Sequence, residues 1–231
     1  MKTKLSLLIL ISIMPFLSIA QNEPSGRNMT LEQLMQEKIR VLKNGALLVR
    51  LQTKENSITA LRKAGNETQA KQVEDKQMAY NKDIIAAFRS EFHFCPVYFF
   101  TSNYSENLMA GNVGEVVFVN DKLVPDPSIK VTQPDFLTAE FGTLDADTAA
   151  YYESQYYEYG NKDIGKSDSY YGGANMGFDA LRIMNSRLVQ LKKPFPYYVR
   201  TYESLPVARK ISKAVAKMNK QLNEYYSLSK M

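Results

Sequence analysis

The chain has 231 residues, 45% of them hydrophobic, a formal net charge of +5, one histidine and one cysteine. This is enough apolar side chain for a packed core, and a lone thiol excludes an internal disulfide framework. A structural zinc site of the usual four Cys and His ligands is excluded on the same count.

The first twenty residues, MKTKLSLLILISIMPFLSIA, place Lys2 and Lys4 ahead of an apolar run from Leu5 to Ile19. Small residues then stand at Ser18 and Ala20, just before Gln21. That order predicts a secretory signal peptide over residues 1–20, because the run is short for a membrane span of about 20 residues. The Ala20-Gln21 junction resembles the export signals of Bacteroidota proteins. No later apolar run is long enough to span a bilayer, so the expectation is a periplasmic or secreted protein cleaved near Ala20/Gln21. Loss of Lys2 and Lys4 with the leader lowers the net charge to +3.

Residues 21–29 read as a polar spacer, and residues 30–231 as one α/β domain. Thr30 and Gln33 have capping-box spacing, Leu31, Leu34, Met35, Ile39 and Leu42 recur at helical spacing, and Asn44-Gly45 closes that helix. ALLVRL (46–51) reads as a strand. ENSITALRKAG reads as a short helix ending at Gly65, and the stretch from Glu67 to Phe92 as a long helix. PVYFFTS and GEVVFVND are apolar runs without alternation, as in strands buried on both faces, with a small helix around 105–110 between them.

Strand, helical crossover, strand, short helix, strand predicts a parallel βαβαβ core over about residues 46–121. DFLTAEFGT predicts a further strand, and ALRIMNSRLVQL two short strands joined at Asn185-Ser186. Val207, Ile211, Val215, Met218, Leu222 and Tyr225 predict a closing amphipathic helix over 205–226. The fold class is therefore α/β, a three-layer sandwich on a mixed, partly parallel sheet. C-terminal antiparallel strands, a long terminal helix and a Tyr-rich acidic insertion around 145–175 complete it.

The single histidine and cysteine, His93 and Cys95, bracket the junction of the long helix and the second strand. A thiol and an imidazole two residues apart can form a nucleophile and its base. Phe92, Phe94, Pro96 and Val97 surround them, however, and free cysteine is among the most buried residue types, so core packing is the better reading. No zinc-protease, nucleophile-elbow, Walker or dinucleotide motif occurs, and neither a metal nor a cofactor is expected.

Seven tyrosines lie between 151 and 171, in a region that runs from Val131 to Asn161 with acids and no Lys or Arg. Tyr152, Tyr156, Tyr157, Tyr159, Tyr170 and Tyr171 form a candidate interaction surface, since tyrosine joins a large apolar body to a polar tip. Between 187 and 220, nine basic residues face one acid, Glu203. The lysines of the terminal helix read as its solvated face, and nucleic acid is not an expected partner of an exported chain.

In a parallel sheet, ligands collect at the carboxyl ends of the strands. That rule selects Lys54 and Asn56 after the first strand, Ser102 and Asn103 after the second, and Asp121 and Lys122 after the third. The expected function is a non-catalytic binding or interaction domain with a protein or glycan partner in the cell envelope. The alternative is an exported α/β enzyme with no local catalytic motif. The leader is checked directly: N-terminal sequencing of exported protein is expected to start at Gln21, and recovery of Met1 rejects cleavage.

Overall fold

A computed structural model describes residues 30–144, 179–201 and 210–230. Six strands form one mixed sheet in the order β3-β2-β1-β4-β5-β6, with helices on both sides. The elements are α1 (Leu31–Asn44), β1 (Ala46–Leu51), α2 (Glu55–Lys63), α3 (Glu67–Glu91), β2 (Val97–Thr101) and α4 (Ser105–Met109). They continue with β3 (Phe118–Val119), β4 (Phe136–Thr143), β5 (Asp179–Met184), β6 (Tyr198–Arg200) and α5 (Ile211–Leu228). The α/β expectation holds. The leader, residues 205–209 of the expected terminal helix and the tyrosine-rich segment lie outside the described residues.

Helix α1 begins where its cap chemistry directs. Thr30 Oγ1 accepts from the Gln33 N–H at 3.2 Å, and Gln33 Oε1 accepts from the Thr30 N–H at 2.9 Å, so two otherwise orphaned donors are satisfied. Its buried face, Met35, Ile39 and Leu42, joins Ile84, Ile85 and Phe88 of α3 and Val215, Met218 and Leu222 of α5 over one face of the sheet. Burying each such side chain contributes about 1.5–3 kcal/mol before chain entropy is subtracted. The opposite face carries a smaller cluster of Leu48, Phe100, Leu108, Val116 and Phe118.

Strand directions depart from the sequence expectation at β3. Strand β1 runs parallel to β2 and to β4, but β3 pairs antiparallel to β2, matching Phe99 with Val119 and Phe100 with Phe118. The short α4 is followed by a single 3-10 turn, Val113–Glu115, rather than a full crossover helix, so the chain returns beside β2 from the same end of the sheet. Strand β5 runs antiparallel to both its neighbours, β4 and β6, as expected of the later half.

The second strand expected within ALRIMNSRLVQL does not form. Asn185 Oδ1 accepts from the Arg187 and Val189 N–H groups, and Leu188 takes a left-handed φ of 59°. The segment closes as a turn and leaves only an isolated bridge between Met184 and Gln190. Strand β6 comes later and takes the partner position along β5.

Gly45 is required by close approach rather than by a left-handed turn. A Cβ placed there would run into the backbone carbonyls of Asp135 and Val41 where α1 delivers the chain into β1 beside β4. Gly45→Ala is expected to lower unfolding free energy by about 2 kcal/mol or more through backbone displacement, measured by urea denaturation.

Candidate functional site

Three adjacent strands each place one charged side chain on the same face of the sheet. Arg50 comes from β1, Glu140 from β4 and Arg182 from β5, where Glu140 and Arg182 stand directly opposite in register. Glu140 is 2% exposed. Its Oε2 accepts from Arg50 Nη1 at 2.5 Å and from Gln52 Nε2 at 3.2 Å. Its Oε1 accepts from Arg182 Nη2 at 2.5 Å and Nε at 3.1 Å. Both oxygens are thus spent on charge-assisted bonds, the condition under which a buried carboxylate is tolerated.

This cluster floors a cleft of about 680 Å³ that wraps over the sheet edge. Gln52 and Lys54 enter it from the end of β1, Gly142 and Thr143 from the end of β4, Asp179 and Ala180 from the start of β5, and Thr201 from beyond β6. Lys76, Gln77 and Tyr80 close it from α3. Helix α3 is tied to this edge by Asn81, whose Nδ2 donates to the Gln52 carbonyl at 2.8 Å while its Oδ1 accepts from Gln77 Nε2 at 3.0 Å. Arg50 also reaches the β2 side, donating from Nε to Ser105 Oγ at 2.7 Å.

The six residues selected at the strand ends divide into three groups. Lys54 lines the cleft, and Asn56 is exposed in the first turn of α2. Ser102 and Asn103 stand at the same end of the sheet, where they bond Thr53: Ser102 Oγ accepts from the Thr53 N–H at 3.1 Å, and Asn103 Oδ1 from Thr53 Oγ1 at 2.9 Å. Their polar groups tie β1 to β2. Asp121 and Lys122 stand at the opposite end. Because β3 is antiparallel, the chain leaving it passes the start of β2, where Asp121 pairs with Arg89 at 2.9 Å and Arg89 also bonds the Val97 carbonyl. The pocket expected to join Lys54 and Asp121 is therefore not formed. Tyr152, Tyr156, Tyr157, Tyr159, Tyr170 and Tyr171 lie outside the described residues.

His93 and Cys95 have separate surroundings. His93 is exposed, and its N–H donates to Asn219 Oδ1 at 2.9 Å, so it is not the core filler its neighbours suggested. Cys95 is half-buried against the main core. Burial pushes its thiol up to about 12, against smaller opposing effects of the Lys43 charge and a backbone bond from Leu47. A nucleophilic cysteine needs the reverse shift. Phe94, between them, is held by Lys43, whose Nζ donates to the Phe94 carbonyl at 2.8 Å and sits 4.7 Å from its ring centre. Among the described residues no group of His, Cys, Asp and Glu is arranged to hold a metal ion, and no helix is long and apolar enough to cross a membrane.

Arg50, Glu140, Arg182 and Asp179 were missed as site residues in the sequence. Their signal was present: ALLVRL and FLTAEFGT each set one charged residue, Arg50 and Glu140, inside a largely apolar strand, and DALRIM sets Arg182 within its apolar run and Asp179 at its start. A charge kept on a buried strand needs a partner, and three such strands are natural partners for one another.

Comparison of the chain with protein-family profiles, with curated proteins and with solved structures finds no match.

The thiol gives a direct test. Cys95 is expected to resist thiol reagents at pH 8 until the protein unfolds. Its folded pKa is raised, so the neutral thiol favours the folded state below about pH 9, and this contribution falls as pH rises toward 12. Fast labelling of native protein, with a midpoint below the roughly 8.5 of a free thiol, would refute this assignment.

Proposed function

We propose that this chain is an exported binding domain that holds a small polar ligand in the cleft at the carboxyl ends of β1 and β4 without transforming it. The observation that carries the reading is the fixed polar floor, with Glu140 buried between Arg50 and Arg182 beneath a cavity of about 680 Å³. Pockets that take small molecules fall between about 300 and 1,000 Å³ and owe their specificity to a few immobilised polar groups. Both guanidinium groups are mostly covered, with side chains 20% and 15% exposed, so little rotamer freedom remains to be lost on binding.

Export rests on the leader pattern of residues 1–20. The protein or glycan partner is proposed for the same compartment, with the tyrosine-rich segment as its contact surface. The absence of conversion rests on chemistry: the thiol is held neutral, and the buried carboxylate has both oxygens occupied. An enzyme using the same cleft is the second reading, favoured by its position at the ends of parallel strands, where α/β enzymes bind substrate.

A thermal-shift screen of envelope metabolites and glycan fragments separates the readings. Hits are expected to perturb the backbone amide resonances of Gln52, Lys54, Gly142 and Thr143 while leaving Val116 unmoved, and to be recovered chemically unchanged by mass spectrometry. Conversion of a hit supports the enzyme instead. Perturbations confined to other surfaces, or no hit at all, reject the cleft.

A further inference from the structure

We infer that the cleft selects a polyhydroxylated ligand, a sugar or polyol, whose hydroxyl groups donate to the side-chain carbonyl oxygens of Gln77 and Gln52. This rests on the binding reading above and names the ligand class.

The polarity of both amides is set from within the fold. The Gln52 backbone carbonyl can only accept, so the Asn81 atom facing it at 2.8 Å is the donor Nδ2. Asn81 Oδ1 is thereby turned to Gln77, and the Gln77 atom that meets it at 3.0 Å is Nε2. Gln77 Oε1 is left over. The residue is 7% exposed and lines the cleft, and its Oε1 is neither bonded among the described residues nor sealed from solvent. That oxygen therefore meets the cleft. Gln52 repeats the pattern: the Glu140 carboxylate accepts from Nε2 at 3.2 Å, which leaves Oε1 of this second cleft-lining amide without a donor among the described residues. Turning any of the three amides over would set two acceptors against each other.

A nearly buried amide oxygen without a donor is uncommon in a folded protein, and this one is placed to take its donor from a ligand. The same cleft is lined by Lys54 and Lys76, whose ammonium groups donate and cannot accept. A ligand meeting both kinds of wall must donate to the amide oxygens and accept from the lysines. A carboxylate does only the second and an amine only the first; a hydroxyl does both. Tyr80 lines the wall one turn beyond Gln77, its ring set edge-on to Phe141 at 6.3 Å. An aromatic body of this kind packs against the C–H face of a sugar while neighbouring amides take its hydroxyls.

Isothermal titration with glucose, galactose, myo-inositol and succinate tests the inference. At least one of the three polyols is expected to bind and to shift the side-chain amide resonances of Gln77 and Gln52, and succinate is not. The binder is then titrated as its monofluoro-deoxy analogues, in which one hydroxyl at a time is replaced by a group of similar size that cannot donate. Loss at one or two positions is expected to be about tenfold or more, since an amide oxygen is left unpaired. In Gln77→Met, which removes the oxygen at similar volume, that hydroxyl-to-fluorine ratio is expected to fall to about twofold or less. The ratio is taken within one protein, so it separates a lost contact from a weakened fold; Gln52→Met is the second variant, and the fluorine series on native protein needs neither. Succinate binding as tightly as the best polyol overturns the inference and leaves the cleft reading standing. A flat fluorine series on native protein, or a ratio undiminished in both variants, also overturns it. If all four probes fail, the wider screen decides: a hydroxylated hit in the cleft carries the fluorine series in their place, a hit without a hydroxyl overturns the inference alone, and failure of every compound removes both.

Discussion

A carboxylate buried on a sheet face has to be surrounded by donors, and meeting that demand organises this molecule. Glu140 would cost several kcal/mol if left unpaired. Arg50 and Arg182 reach it only if β1, β4 and β5 lie side by side with their directions and register as found. Slipping β4 by one residue would turn Glu140 into the helix-covered core and Phe141 out onto the polar face. The demand for paired charges thus favours this strand register over its slipped alternatives, in which the carboxylate or the arginines would lose their partners.

The two faces of the sheet divide the work. The face under α1, α3 and α5 is an apolar core from Met35 to Leu222, and it supplies the stability. The other face is apolar only toward β2 and β3, where Phe100, Phe118 and Leu108 meet. Toward β4 and β5 it turns polar, and the cleft opens where that polar half meets the carboxyl ends of the parallel strands. A site on strands anchored by a core on their reverse side is held more rigidly than one built on loops. Helix α3 belongs to both halves: Phe88 and Ile84 pack the core, while Lys76, Gln77 and Tyr80, nearer its start, wall the cleft.

Small polar anchors fix the ends of these elements. Thr53 ties the end of β1 to Ser102 and Asn103 after β2, Arg40 donates from Nη2 to the Ser229 carbonyl at the end of α5, and Lys43 holds Phe94. Several residues with the types expected of a ligand site turn out to serve such joints. Polar residues directly after an apolar strand satisfy backbone and neighbouring side chains before anything else, so residue type alone does not distinguish a cap from a contact.

What the sequence determined by itself was local. Helical spacing located α1, α3 and the terminal helix, the Thr30–Gln33 pair placed a helix start, and apolar runs marked β1, β2 and β4, because each signal acts within a turn or a pleat. The direction of β3 was not local: two residues, Phe118 and Val119, pair equally well either way, and the length of the connection from β2 decided it. Nor was β6, whose three residues after Pro196 carry too little pattern to outweigh the apolar RLVQL stretch before them. The cluster of Arg50, Glu140 and Arg182 lay furthest from view, since its members are separated by 90 and 42 residues. Each charge was visible as an intrusion in an apolar strand; only the tertiary pairing of three strands could show that the three intrusions satisfy one another and floor a single cleft.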